Sequence, residues 1–308
     1  MLPMLKPRGM KLGDKVAVLA PASPFDREVF TRGINELRAI GFNPVFDDGV
    51  FSRLGYLAGS SEHRSDALRA AWRDPEIRAV FTVRGGYGSS QLLPLLDVSE
   101  VRDDPKPFIG CSDLTALLIY LTTHCGTVGF HGPMLVNLAD HTAGYDRTSL
   151  MKCVTSPTPL GELRPDGVEA LSNGEAYGAL LGGTLTQILA SLSTPFAFDP
   201  PEGYVLFLDD VGEKPYRIDR MLTQVRQAGL LKAASAVVCA EFPGCSIENG
   251  PDVKSVISEL LEDFPGPVLF GFPSGHTTGP TLTLPFGVTV RVTSGLRPGL
   301  IVDEAAVE

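Results

Sequence analysis

In the stretch KPFIGCSDLTALLIYL, residues 106–121, an apolar run ends at Gly110 and a second apolar run of helical length begins at Leu114. Between them stand three side chains capable of chemistry, Cys111, Ser112 and Asp113. A nucleophile at a strand-to-helix turn sits on a sharply bent backbone. Its side chain projects from the sheet edge, and the N–H groups of the following turn point outward. Gly110, two residues earlier, leaves room for the bend. A G-x-S-x-G elbow is absent, because Leu114 occupies the position of its second glycine. Ser112 and Asp113 equally suit the ordinary role of helix caps. Cys111 has the apolar neighbours of a buried thiol.

RGGYG, residues 84–88, is a second candidate. Successive glycines allow backbone N–H groups to close on an anion. Neither G-x-x-x-x-G-K-[ST] nor G-x-G-x-x-G is present, so the segment fits an oxyanion hole or a plain turn as well as a phosphate cradle. A serine nucleophile needs a base, and the chain offers His63, His124, His131, His141 and His276. His63 and His124 fall in helix-like stretches and His141 in a loose polar one. His131 (GFHGP) and His276 (PSGHTTGP) sit in Gly/Pro-framed turns after apolar strands. Spacing does not choose between them. An acid to orient the base is available where YVLFLDD ends, in Asp209, Asp210 or Glu213, although Glu213 is also four residues from Arg217 and suits a surface ion pair.

The elements that must carry these residues follow from periodicity. KVAVLAP, PVFDD, IRAVFTV and KPFIGC read as strands. SPFDREVFTRGINELRAIGF reads as a helix capped by Ser23 with Pro24 in its first turn, and SSEHRSDALRAAWRD as one that turns Leu68, Ala71 and Trp72 inward. RGGYGSSQLLPLL reads as a Gly-rich turn entering a further helix. Strands alternating with helices predict an α/β fold with a parallel sheet, whose active sites lie at the carboxyl ends of the strands. Both RGGYG and GCSD lie at such ends. Residues 141–175 are rich in Asp, Gly, Pro, Ser and Thr and read as a linker with short strands. It separates an N-terminal domain, 1–140, from a smaller, β-rich α/β domain, 176–308. In the latter, LTQILASL and EKPYRIDRMLTQVRQAGLL carry helical spacing, and TLTLPFGVTVRVTSGLRPGLIVD alternates as β-hairpin structure.

The chain has 308 residues and a formal charge of −10, with no Lys/Arg run. That argues against a nucleic-acid partner. Five scattered cysteines without a C-x-x-C pair suggest neither a zinc site nor a disulfide framework, and fit reduced cytoplasmic thiols. No signal peptide and no membrane span is expected.

GCSDLTALL, RGGYG, GFHGP, LGGTLTQI, LFLDDVGEKPYRIDRML and GFPSGHTTGPTLTLPFG together, in this order, resemble the L,D-carboxypeptidases, serine peptidases of peptidoglycan recycling whose relatives include hydrolases that inactivate microcin C. The resemblance implies a Ser–acid–His triad divided between two domains. Ser112 would be the nucleophile, His276 the base and Asp209 the acid, with Glu213 as the alternative acid. The backbone N–H groups of Gly86 and Asp113 would be the oxyanion donors. Gly85, Gly183 and Thr184 would be substrate contacts, the amides of the last two facing a terminal carboxylate. Two departures stand out. The family's LFLED is LFLDD here, so the acid is one methylene shorter, and its GGN is GGT, with Thr184. The implied reaction releases terminal D-Ala from a muropeptide tetrapeptide through an acyl-enzyme, without metal or cofactor, in a cytoplasmic homodimer. The other readings are hydrolysis of an acyl-sulfamoyl adenylate or aminoacyl nucleotide, and a homologue that binds ligand without chemistry.

Overall fold

The computed structural model describes residues 4–140 and 144–308, so His141 lies outside the described residues. The first sheet begins with β1 (Lys15–Leu19), β2 (Asn43–Val45), β3 (Ile77–Thr82), β4 (Phe108–Gly110) and β5 (Gly129–His131). The second contains β6 (Gly161–Leu163), β7 (Glu169–Ser172), β8 (Glu175–Thr184), β9 (Tyr204–Asp209), β10 (Ala234–Ala240) and β11 (Val268–Phe272). Of the last three strands, β12 (Leu284–Phe286) returns to the first sheet, while β13 (Thr289–Thr293) and β14 (Gly299–Val302) complete the second.

The first sheet runs β12-β5-β4-β3-β1-β2 and the second β6-β14-β13-β8-β9-β10-β11-β7. Strands β2, β1, β3, β4 and β5 are mutually parallel, as are β8 to β11. The central ones are near-continuous apolar runs because both faces are covered; every residue of β9 is buried. The antiparallel pairs flank the parallel strands, with β6, β14 and β13 on the β8 side of the second sheet, where β13 and β14 form the hairpin their alternation predicts. The fold is mixed α/β with two sheets, the first mainly parallel as the alternation of strands and helices predicts.

Three local differences from the sequence reading have physical causes. The first helix begins at Arg27 and is capped by Asp26, which accepts from the amides of Glu28 and Val29. Ser23 is drawn away to the Gly-rich turn, where its amide donates to the Gly85 carbonyl (3.3 Å) and its hydroxyl accepts from the Tyr87 amide (3.1 Å). After RGGYG the chain forms a 3₁₀ helix, Ser89–Leu95, that contains Pro94, a residue without an N–H for a longer helix. The segment expected as a linker contributes a helix, Arg147–Thr155, and the strands β6 and β7.

The two sheets share one core. Val80, Phe108 and Phe130 of the first pack in the same cluster as Leu180, Val205, Phe207 and Val290 of the second. On the far face of the second sheet, Ile218, Leu222 and Val225 of the helix Pro215–Gln227 pack with Leu206, Leu208 and Val237. Among the described residues no helix is long and apolar enough to cross a membrane.

Candidate active site

The first sheet changes direction between β1 and β3, since β2 lies on one side of β1 and β3 on the other. A crevice at the carboxyl ends of the strands is expected there. A cleft of about 400 Å³ occupies it, lined by Phe25, Asp26 and Val29 after β1, Arg84, Gly85 and Gly86 after β3, Ser112 after β4, Met134 and Val136, and His276 from the other half of the chain.

Ser112 stands two residues after β4 with φ at +62°, in the left-handed region that a non-glycine residue enters at a cost. Two glycines make the bend possible. A Cβ on Gly110 would lie 2.7 Å from Thr82 Oγ1, and one on Gly85 would lie 2.9 Å from Ser112 Cβ and 3.0 Å from its Oγ. Asp113 is buried and ties this corner to the Gly-rich turn. Its carboxylate accepts from the amides of Gly88 (3.3 Å) and Ser89 (2.9 Å), and its carbonyl accepts from Ser89 Oγ (2.6 Å). Buried Arg64 holds the other side of the same turn by donating to the carbonyls of Gly88 (2.8 Å) and Pro21 (2.6 Å). Among the described residues the amides of Gly86 and Asp113 have no hydrogen-bond partner.

His276 arrives on the loop between β11 and β12. Its Nε2 lies 3.1 Å from Ser112 Oγ and its Nδ1 lies 2.8 Å from Asp209 Oδ2. Its backbone amide donates to Asp209 Oδ1 (3.0 Å). An acid one methylene shorter therefore reaches the ring, because the loop backbone comes down onto the same carboxylate. Gly275 makes that approach possible. It has φ of +83°, and a Cβ there would lie 2.6 Å from Asp209 Oδ2. A carboxylate only accepts, so Nδ1 carries the ring proton of neutral His276 and Nε2 is bare toward the serine.

Asp209 is fully buried and also accepts from Thr184 Oγ1 (3.2 Å). Burial, the largest influence on His276, pulls its pKa down. The hydrogen bond and charge of Asp209 and the charge of Asp210 outweigh it, so the pKa stands above the ordinary 6.5. A hydroxyl beside an imidazole that a buried carboxylate orients is an arrangement able to generate a nucleophile.

The remaining candidates separate clearly. Asp210 turns the other way, to the amide (3.0 Å) and hydroxyl (2.7 Å) of Thr186. Glu213 pairs with Arg217 at 3.1 Å on the helix surface. The expectation that Thr184 presents a free amide to substrate is corrected. The Thr184 amide donates to Thr115 Oγ1 (3.0 Å), a Cβ on Gly183 would lie 2.6 Å from the same threonine, and both residues are buried and neither lines the cleft. Cys111 is buried, and burial drives its thiol pKa far up. His63 bonds the Gly49 carbonyl (2.9 Å), and the His124 ring lies against Tyr120 and Phe196. Trp72 stacks on Phe108 in the core.

His131 is fully buried, with its ring stacked 5.1 Å from that of Phe286. The Ser274 hydroxyl donates to the Leu282 carbonyl (2.9 Å), so His131 Nδ1 donates to Ser274 Oγ (3.0 Å). Burial pulls the His131 pKa down to about 4, so it is neutral and pins the loop that carries His276. Arg64 and Ser274 were not singled out from the sequence, and Ser23 and Thr184 were given other roles there, a helix cap and a substrate contact. Only Arg64 had a signal, because it lies four and seven residues before Leu68 and Ala71, on the inward face of its helix. Among the described residues no group of three or more His, Cys, Asp or Glu side chains could hold a metal ion.

Comparison with known proteins matches the LD-carboxypeptidase N-terminal domain over residues 16–132 and the LD-carboxypeptidase C-terminal domain over residues 177–292. The chain is 33% identical over 303 residues to the probable murein peptide carboxypeptidase of Bacillus subtilis, covering 96% of this chain and 94% of that one. It is 32% identical over 270 residues to the murein tetrapeptide carboxypeptidase of Pseudomonas aeruginosa, covering 85% and 88%. Among solved structures, the muramoyltetrapeptide carboxypeptidase from Oxalobacter formigenes superposes with a TM-score of 0.84 at 28% identity, over 96% of this chain and 100% of that one. The microcin C7 self immunity protein MccF in complex with aspartyl sulfamoyl adenosine superposes with a TM-score of 0.91 at 23% identity, over 99% and 100%, a likeness of fold. With matches to both of its domain models, in order and across more than half its length, the chain belongs to the LD-carboxypeptidase family.

Proposed function

We propose that this protein is a serine carboxypeptidase that hydrolyses the L,D bond of murein tetrapeptides and releases terminal D-Ala. The observation that carries the reading is the continuous chain from Ser112 Oγ through His276 to Asp209, with contacts of 3.1 Å and 2.8 Å, opening on the cleft. The relatives named as murein peptide and murein tetrapeptide carboxypeptidases support the substrate class.

In this mechanism Ser112 Oγ attacks the scissile carbonyl while His276 Nε2 takes its proton, and Asp209 holds the imidazolium in place. The oxyanion that develops meets the unpartnered amides of Gly86 and Asp113. Collapse breaks the C–N bond, and His276 returns the proton to the leaving amine. Water, deprotonated by the same imidazole, then clears the acyl-enzyme. Against an aminoacyl nucleotide as substrate stands the setting of the single tryptophan, stacked on Phe108 in the core where no nucleobase can reach it.

The test is mass spectrometry of products from a tetrapeptide with D-Ala at its terminus, its L-Ala isomer and an aminoacyl sulfamoyl adenosine. Tripeptide and free D-Ala from the first peptide alone is the expected result. Equal cleavage of the two peptides, or turnover of the sulfamoyl compound alone, contradicts the reading.

A further inference from the structure

A carboxypeptidase must distinguish a chain end from a chain middle, and the chemical difference is the terminal carboxylate. Of the two residues expected to bind it, Thr184 donates its amide to Thr115 and Gly183 is buried against the same threonine, and neither lines the cleft. In a protein with a formal charge of −10, an anionic chain end needs a local cation. The cleft has one permanently charged cation among its lining residues, Arg84.

Arg84 is exposed and directly precedes Gly85, where a Cβ would fall 2.9 Å from Ser112 Cβ. Its Nη1 donates to the Pro24 carbonyl (3.2 Å), which fixes the direction of the side chain. Among the described residues it forms no ion pair and its other donors have no protein partner. Its Nη2 lies 3.9 Å from where a Gly86 Cβ would stand, beside the amide assigned to the oxyanion. The carboxylate that shares the cleft, Asp26, is turned to the amides of Glu28 and Val29, and its charge neighbours are Arg32 and Arg53 rather than Arg84. As the other charged group of the cleft lining, it repels an anion that approaches it. A terminal carboxylate lies one residue beyond the scissile carbonyl, and Arg84 lies one residue before the glycine whose added Cβ would fall against Ser112.

We infer that Arg84 binds the free carboxylate of the leaving residue and thereby makes the enzyme an exopeptidase. This rests on the serine carboxypeptidase reading above. A guanidinium fork on a carboxylate is a charge-assisted, directional contact, which a carboxamide cannot reproduce.

The experiment measures kcat/KM for two tetrapeptides that differ only in ending as D-Ala or D-alaninamide, with wild type, Arg84→Gln and Arg84→Lys. Wild type should favour the acid by about 100-fold, the range of a charged hydrogen-bonded pair. Arg84→Gln should bring the acid/amide ratio to within a few-fold of unity, and Arg84→Lys should leave an intermediate ratio. A purely structural role for Arg84 would lower both rates and leave the ratio unchanged, which overturns the inference. Wild-type cleavage of both peptides at equal rates also overturns it while leaving the peptidase reading intact. Failure of wild type to cleave either peptide removes both.

Discussion

The two sides of the candidate site are built in different ways. The Ser112 corner is a local backbone structure: a left-handed Ser112, Gly85 and Gly110 packed close around it, and an Asp113 carboxylate that grips a neighbouring turn. The acid–base side is made of long-range side-chain contacts. His276 and Asp209 are 67 positions apart, Thr184 reaches Asp209 across the parallel β8–β9 pair, and His131 of the first sheet pins the His276 loop through Ser274. The corner is thus intolerant of added atoms. The acid–base side is tolerant of shape but dependent on each polar partner.

Substitutions can break this contrast or sharpen it. The largest loss should come from Ser112→Ala, on the order of 10⁶ in kcat with the fold retained, because the reacting atom itself is gone. Asp209→Asn should cost about 10⁴ in kcat by upsetting the tautomer and orientation of His276. Glu213→Gln should stay within about tenfold, since it removes only a partly exposed pair with Arg217. A dead Glu213→Gln beside an active Asp209→Asn would move the acid to the helix surface and contradict the geometry.

Gly85→Ala tests the steric side. Its Cβ would fall 2.9 Å from Ser112 Cβ and 3.2 Å from the Asp113 amide, so one of them must shift. A displacement of that kind should cost about 10² in kcat/KM, with thermal stability little changed. The smallest effect expected is in pH dependence. His276 must be neutral to act as base, and its pKa is raised, so kcat/KM should fall as pH drops through a value above 6.5. An acid limb well below 6.5 would show that burial, not Asp209, governs the imidazole.

What was legible in the sequence follows the same division. The inner face of the helix Pro215–Gln227, the parallel strands and the Ser112 junction are properties of a dozen adjacent residues, so periodicity and turn chemistry disclose them. Ser112, Asp209 and His276 were selected through resemblance, because the spacing of five histidines and three acids left the choice open. The return of β12 to the first sheet, the capture of Ser23 by the Gly-rich turn, and the spent amide of Thr184 depend on partners dozens of residues away. No local pattern encodes them. Residues 147–155 were hidden differently, since a short helix flanked by Gly, Pro and Ser/Thr-rich segments has too few turns to display a period.

The central claim is that Ser112, activated by His276, carries the acyl group. Rapid-quench mass spectrometry during turnover of the D-Ala-terminated tetrapeptide tests it most directly. The account predicts a transient adduct of tripeptide-acyl mass on Ser112, formed with a burst of D-Ala and absent from Ser112→Ala. Steady turnover by Ser112→Ala, or an adduct on another residue such as Cys111, would contradict it.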